Sequence, residues 1–230
     1  MVSLKSKESK AVRAPKARDG HFLALAQRLA AFDAKWNSRP LCGLDEAGRG
    51  PLAGPVVAAA VILDPNEPMV GVYDSKKLIA QKREEAYDLI MVKALDVAVA
   101  LKSPQDVDKY NPLVASLMAM AEAFAALKVK PALALIDGPQ TIPLPCQVIA
   151  TPKGDSLSLA IAAASIVAKV TRDRLMLEES QKYPQYGFER HFGYGTRAHM
   201  TALATYGPSP IHRLTYRGVR PKEPGLFDDF

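Results

Sequence analysis

The sequence predicts an α/β fold with a mixed sheet and helices on both faces. Three observations carry this. Two short apolar runs, Leu41–Leu44 and Gly54–Leu63, come early as a hairpin-like series. Longer segments with apolar residues three and four apart then alternate with further short runs. No internal repeat and no long Pro/Ser linker divides the chain. Strands that begin as a hairpin and then alternate with helices suit one sheet covered on both sides.

The elements follow in order. Residues 1–20 are polar and basic and are expected to be disordered. His21–Trp36 reads as an amphipathic helix on Phe22, Leu25, Leu29 and Phe32, with Asp19-Gly20 before it and Arg39-Pro40 ending it. Leu41–Leu44 and Gly54–Leu63 are two consecutive strands joined by the turn-rich Gly48–Pro51. Ile79–Val92 reads as a helix, Ala94–Leu101 as a third strand and Pro112–Leu127 as an Ala/Met/Leu-rich helix. Ala132–Ile136, bounded by Pro131 and Gly138, is a compact buried strand, and Gln147–Ala150 is a short fifth. Ser156–Ser180 is a long helix and Arg197–Tyr206 a short one. The expected organisation is a basic extension over 1–40, one domain over 41–220 and a loose acidic tail over 221–230.

The 230 residues are 48% hydrophobic and 23% charged, which suits a soluble globular domain and excludes a mainly disordered chain. The formal net charge of +6 is uneven. Residues 1–40 hold nine Lys/Arg against three Asp/Glu, and the rest of the chain sums to zero. From Lys182 to Lys222 there are seven basic residues and one acid, whereas 41–181 hold 14 basic and 17 acidic residues. Two basic segments thus flank a mildly acidic centre, a pattern for a protein that meets an anion. The basic start fits an organelle transit peptide as well as a tail that touches nucleic acid. Cys42 and Cys146 lie far apart without a CxxC pattern, so neither a Cys/His zinc site nor a disulfide framework is expected. A reducing, cytoplasmic setting is the simple reading. The longest weakly polar runs, Pro51–Leu63 and Leu157–Ala168, fall short of the ~20 residues that span a bilayer, so no membrane is expected.

Four acidic positions stand out by their surroundings. Asp45 and Glu46 follow the first strand, Asp137 ends the strand at 132–136, and Asp155 follows Lys153-Gly154 at the start of the long helix. Ends of strands and starts of helices are where α/β proteins keep their sites. Clustered carboxylates repel one another until cations neutralise them, and an oxygen-rich, sulfur-free set suits Mg²⁺ or Mn²⁺. Two such ions can align a water and a leaving oxygen at a phosphodiester. Plain readings stand beside this one: Asp155 suits a helix cap and Asp137-Gly138 a turn. Neighbouring strand residues face opposite ways, so Asp45 and Glu46 share one metal centre only if the strand ends or bulges there. Gly48-Arg49-Gly50 lets backbone approach a ligand, or is a tight turn.

Several segments together resemble the type 2 ribonuclease H family, in its bacterial ribonuclease HII branch. They are Gly43–Leu63 (GLDEAGRGPLAGPVVAAAVIL), Asp74–Leu78 (DSKKL), Ile136–Gly138 (IDG) and Lys153–Asp155 (KGD). Ala160–Asp173 (AIAAASIVAKVTRD), Gly193–His199 (GYGTRAH) and Gly207–Arg213 (GPSPIHR) follow in the expected order. The resemblance spans about Leu41 to Arg220 and implies a ribonuclease H-like fold, with a five-stranded mixed sheet, flanking helices and a helical C-terminal part. It implies a monomeric endonuclease that hydrolyses the RNA strand of RNA–DNA hybrids and cuts at ribonucleotides embedded in duplex DNA. The implied ends are 5′-phosphate and 3′-hydroxyl. It further implies that Asp45, Glu46, Asp137 and Asp155 hold two Mn²⁺ or Mg²⁺ ions. The backbone of Gly48, Arg49 and Gly50 reads the ribose 2′-hydroxyl, the group that marks RNA. Tyr194 stacks on the sugar at the RNA–DNA junction; local sequence alone reads it as a half-buried ring in a Gly-rich turn.

Other positions complete the expectation. Ser75, Lys76 and Lys77 meet phosphates, Lys76 foremost, or form a solvated helix start. Ser165, Lys169 and Arg172 share one helix face toward substrate, with an Arg172-Asp173 surface pair as the alternative. Ala162, Ala163, Ala164 and Ala168 permit close helix–sheet packing. His212 and Arg213 fit the C-terminal motif without an assigned role, and the other histidines are read as surface residues. Two positions depart from the family pattern. Tyr73 stands where asparagine is usual, and Phe192 where lysine is common. Leu226, Phe227 and Phe230 suggest a weak sliding-clamp contact, although the usual glutamine is absent. Competing readings are a nucleic-acid binding module without catalysis, disfavoured by the intact carboxylates, and a resolvase or exonuclease of the same fold, which lacks the GRG–tyrosine pairing.

Overall fold

The computed structural model describes residues 17–220. Five strands form one sheet: β1 (Leu41–Ala47), β2 (Val56–Leu63), β3 (Ala94–Lys102), β4 (Leu133–Asp137) and β5 (Gln147–Thr151). Their order is β3-β2-β1-β4-β5. β2 is antiparallel to both β1 and β3, whereas β1, β4 and β5 run parallel. The predicted mixed sheet is therefore present, and the hairpin turns where Gly48–Pro51 lies.

Seven α-helices lie among the described residues: α1 (Ala17–Asp33), α2 (Ala80–Lys93), α3 (Pro104–Tyr110), α4 (Pro112–Ala126), α5 (Leu159–Lys182), α6 (Phe188–His191) and α7 (Arg197–Tyr206). The sheet is buried on both faces, which is why β1 and β2 read as continuous apolar runs. On one face, Ala59 and Val61 meet Ala162, Ala163, Ala164 and Ala168 of α5, with α1 and α2 alongside. On the other, Cys42, Leu44, Ala58, Ala60 and Ile136 meet Met120, Ala123 and Phe124 of α4. Small residues let α5 lie close, and Gly43 sets the limit. A Cβ there would fall 2.1 Å from the Ala160 carbonyl carbon. Gly43 therefore belongs to helix–sheet packing, and it brings the start of α5 onto the end of β1.

Several boundaries differ from the sequence reading, each for a local reason. The first helix ends at Asp33, short of Trp36. β1 extends through Asp45 and Glu46 to Ala47, because β2 pairs with it as far as Ala47↔Val57. The long helix starts at Leu159 instead of Ser156, since Gly154–Ser156 form a separate 3-10 turn and Ser158 accepts the Ile161 amide as the true cap. Helix α3 was not anticipated. Its signal is Ser103-Pro104 with Asp106, a reciprocal capping box followed by proline at the first helical position. No described helix is long and apolar enough to cross a membrane. Both cysteines are free. The expectations for residues 1–16 and for Leu226, Phe227 and Phe230 lie outside the described residues.

Candidate active site

The carboxyl ends of the parallel strands β1 and β4 bring the first three acids together. Asp45 and Glu46 close β1, and Asp137 is the last residue of β4. The fourth arrives by a turn. Lys153 takes a left-handed conformation (φ 59°) and the Gly154 amide donates to Asp137 Oδ1 at 2.6 Å. That bond locks the turn to β4 and leaves Asp155 beside Asp137. Asp155 lies in this turn, so it does not cap α5. Gly138 (φ 95°) does make the turn that local sequence suggested, and Asp137 serves the site as well.

β1 stays regular through both acids, with Asp45↔Ala59 and Glu46↔Ala58 in register. The expected strand end or bulge between them is absent. Asp45 shares the α5 face with Gly43, and Glu46 takes the opposite parity. β1 has by then lost its parallel partner, since its pairing with β4 ends at Leu44↔Ile136.

The electrostatics mark a site short of positive charge. Burial, then Glu46 and Asp137, push the Asp45 carboxyl well above the usual range. Burial also raises Glu46 despite Arg49, and burial with Asp155 raises Asp137. Carboxylates of raised pKa at one sheet edge, with oxygen donors alone, fit a divalent cation. Side-chain cations now take part of that role. Lys76 Nζ lies 2.8 Å from Asp155 Oδ2, and Arg49 Nε lies 2.8 Å from Glu46 Oε1. Among the described residues, no three acid, histidine or cysteine side chains already converge as ligands.

Beside the acids, the loop after β1 is held by two arginines. Arg213 donates to the carbonyls of Gly48 (2.6 Å), Arg49 (3.0 Å), Pro51 (2.8 Å) and Gly54 (2.8 Å). Arg172 donates to Pro55, Ala53 and Phe192 carbonyls at 3.0 Å each. In a planar trans peptide the N–H points opposite to the C=O. Carbonyls of Gly48 and Arg49 drawn inward therefore turn the Arg49 and Gly50 amides outward, where both residues are exposed. A Cβ at Gly50 would lie 3.7 Å from Cε1 of Tyr194. Tyr194 is 46% exposed, so its ring is half buried, as local sequence suggested, and its open part flanks the loop.

The family can now be stated from comparison. The ribonuclease HII family model matches residues 42–219. The chain belongs to the ribonuclease HII family. It is a ribonuclease H, an endoribonuclease of the family that cleaves the RNA of RNA–DNA hybrids, and enzymes of this family use divalent metals. Ribonuclease HII of Geobacter sulfurreducens is 53% identical over 187 residues, covering 81% of this chain and 86% of that one. Among solved structures, ribonuclease H2 from Pyrococcus horikoshii OT3 has a TM-score of 0.68 at 29% identity, covering 78% and 94% of the two chains. The ribonuclease HII in a PCNA complex from Archaeoglobus fulgidus has a TM-score of 0.65 at 29% identity, covering 83% and 99%. The predicted ribonuclease H-like fold is thereby shown.

The remaining site residues divide. Lys76, expected to meet a phosphate, pairs here with the Asp155 carboxylate. Ser75–Lys77 form a 3-10 turn capped by Asp74, which accepts the Lys76 amide and the Ser156 hydroxyl. Asp74 was not singled out beforehand, although Asp before Ser is a capping signal. Ser165 is buried and bonded to Ser75 Oγ at 2.9 Å, tying this turn to α5. Lys169 pairs with Asp173 at 2.6 Å and stands over the Phe192 ring. Arg172 is 1% exposed, which excludes the surface pair with Asp173; Asp173 faces Lys169 and Arg83 instead. The histidines also depart from expectation: His191 and His199 are buried, as is His212. Tyr73 stacks on Phe22 of α1, so this departure from the family pattern serves packing.

Proposed function

We propose that this ribonuclease H cuts the RNA strand of hybrids and single ribonucleotides within duplex DNA, at a centre made by Asp45, Glu46, Asp137 and Asp155. The observation that supports the reading is the electrostatic coupling of these four acids at the carboxyl ends of β1 and β4, beside outward-turned amides and an exposed tyrosine. Two divalent ions, Mn²⁺ or Mg²⁺, when bound to these acids, supply the charge that activates a water and stabilises the leaving oxygen. The chain's own groups position the substrate. The Arg49 and Gly50 amides, in the Gly48-Arg49-Gly50 loop, are hydrogen-bond donors for a ribose 2′-hydroxyl. The Tyr194 face meets the sugar on the far side of the cut, where an added hydroxyl is disfavoured.

With cations on the acids, Lys76 would be free to turn from Asp155 to a substrate phosphate. Lys169 does the same when it releases Asp173, and Ser165 acts indirectly by holding Ser75 and Asp45. The products are 5′-phosphate and 3′-hydroxyl ends. The protein works as a cytoplasmic monomer, as one domain from 41 to 220. The Archaeoglobus fulgidus relative forms a complex with PCNA, which supports a sliding-clamp contact here through Leu226, Phe227 and Phe230. Deleting 225–230 then lowers clamp affinity; unchanged affinity removes that contact.

The deciding assay offers three duplexes with Mg²⁺ or Mn²⁺: a long hybrid, a DNA duplex with one ribonucleotide and an all-DNA duplex. Cleavage of the first two and not the third is expected. No cleavage in either metal, or equal cutting of all-DNA, would sink the reading.

A further inference from the structure

Behind Tyr194 runs a chain of hydrogen bonds that no step above uses. His199 at the start of α7 and His212 in the loop after it are 0% and 2% exposed. Their Nε2 atoms face each other at 2.9 Å. Two neutral imidazoles make that contact only when one nitrogen carries the proton and the other is bare.

The neighbours decide which. The Ser209 amide donates to His212 Nδ1 at 2.9 Å. That nitrogen is bare, so the His212 proton sits on Nε2. His199 Nδ1 lies 2.9 Å from the Tyr194 carbonyl oxygen, an acceptor. That nitrogen carries the His199 proton, which leaves its Nε2 bare. The chain therefore runs one way, from Ser209 through His212 and His199 to the Tyr194 carbonyl. Both rings are neutral in it, and burial agrees: it lowers His199 and, with the adjacent imidazole, holds His212 down to about 4. His191 stacks on His199 at 4.5 Å, and the Phe188 ring closes another side at 5.5 Å.

Tyr194 is thus gripped at both polar main-chain atoms. Its amide donates to the His191 carbonyl at 2.9 Å, and its carbonyl accepts from both the Thr196 amide at 2.8 Å and His199. Its side chain, by contrast, stands free over Gly50. A fixed main chain limits the rotamers open to the ring.

We infer that the His212–His199 relay is a positioning device for Tyr194, holding its main chain so that the ring presents one face beside the Gly48–Gly50 loop. The inference rests on the reading that Tyr194 meets the substrate sugar. Neither histidine touches substrate.

The test is steady-state cleavage of the embedded-ribonucleotide duplex by wild type, Tyr194→Ala, His212→Phe, His212→Gln and the double variant Tyr194→Ala/His212→Phe. Tyr194→Ala and His212→Phe are each expected to raise KM severalfold with a smaller change in kcat. His212→Gln keeps a donor at the Nε2 position and restores most of the loss. The double variant is no worse than Tyr194→Ala alone, because both changes remove one interaction. If His212→Phe does not fold, His212→Asn takes its place: it keeps an acceptor for Ser209 but has no donor toward His199. Full additivity in the double variant, or equal losses for the Gln and Phe (or Asn) variants, overturns the relay while leaving Tyr194 in the site. A wild-type KM in Tyr194→Ala overturns the Tyr194 reading, and the relay falls with it.

Discussion

Asp45 is a buried acid with acids for neighbours. Its carboxyl is raised, so the folded chain holds its proton more tightly than the unfolded chain does. Stability of the metal-free protein therefore falls as pH rises through the window above the ordinary carboxylate range. Asp45→Asn removes one of the repelling charges. It is expected to abolish cleavage, keep duplex binding, raise the melting temperature in chelator and flatten that pH dependence. Melts from pH 4 to 8 and a binding titration check this; a near-normal cleavage rate would remove Asp45 from the site. Arg213 is the opposite case, a buried charge satisfied by carbonyls. Arg213→Lys replaces a planar fork with a point charge that cannot span four acceptors. A loss of about 2–3 kcal/mol is expected from unmade buried bonds. Selectivity for ribonucleotide over all-DNA duplex should fall too, read by chemical denaturation and by paired cleavage rates.

At the scale of elements, the β1–α5 contact sets the geometry of the site. Gly43 faces the Ala160 backbone, which no side chain could leave room for. Gly43→Ala must push the start of α5 from the sheet and carry the Asp155 turn with it. Overpacking of this kind costs about 1–3 kcal/mol or more. The expected result is lowered denaturation midpoint together with weakened divalent-ion affinity, measured by titration of the folded variant. The glycine's family motif was legible in the sequence, but its partner was not, because Ala160 lies over a hundred residues away. The same holds for α1. Its period was readable, but not its anchor: Asp33 Oδ2 accepts the Ala160 amide at 2.9 Å, so α1 also holds the start of α5.

At the scale of the molecule, the charge of the first forty residues splits. Residues 1–16 hold five Lys/Arg and one acid, whereas α1 buries Ala26 and Leu29 in the α5-side core. Deleting 1–16 should weaken duplex binding at low salt, spare cleavage and leave stability unchanged. Deleting 1–40 should also lower stability, because it strips a core-packed helix; salt-dependent binding and thermal melts of the two truncations separate these effects. An equal melting temperature for both would show that α1 adds nothing to the core. Four of the 17 acids in the central stretch lie at the candidate site, two of them paired with Arg49 and Lys76.

Periodicity and apolar runs were enough for the five strands and most helices, since those signals are local. Family motifs pointed to four acids and a glycine loop, and the fold places these at the carboxyl ends of β1 and β4 and in the turn before α5. Long-range contacts were not readable in this way. Arg172, Arg213 and the three buried histidines have ordinary local surroundings in sequence, and so read as surface groups or as residues without a role. Their function appears only when α5 and the C-terminal segment fold over the Gly48–Pro55 loop, because a hydrogen bond depends on distance in space and not along the chain.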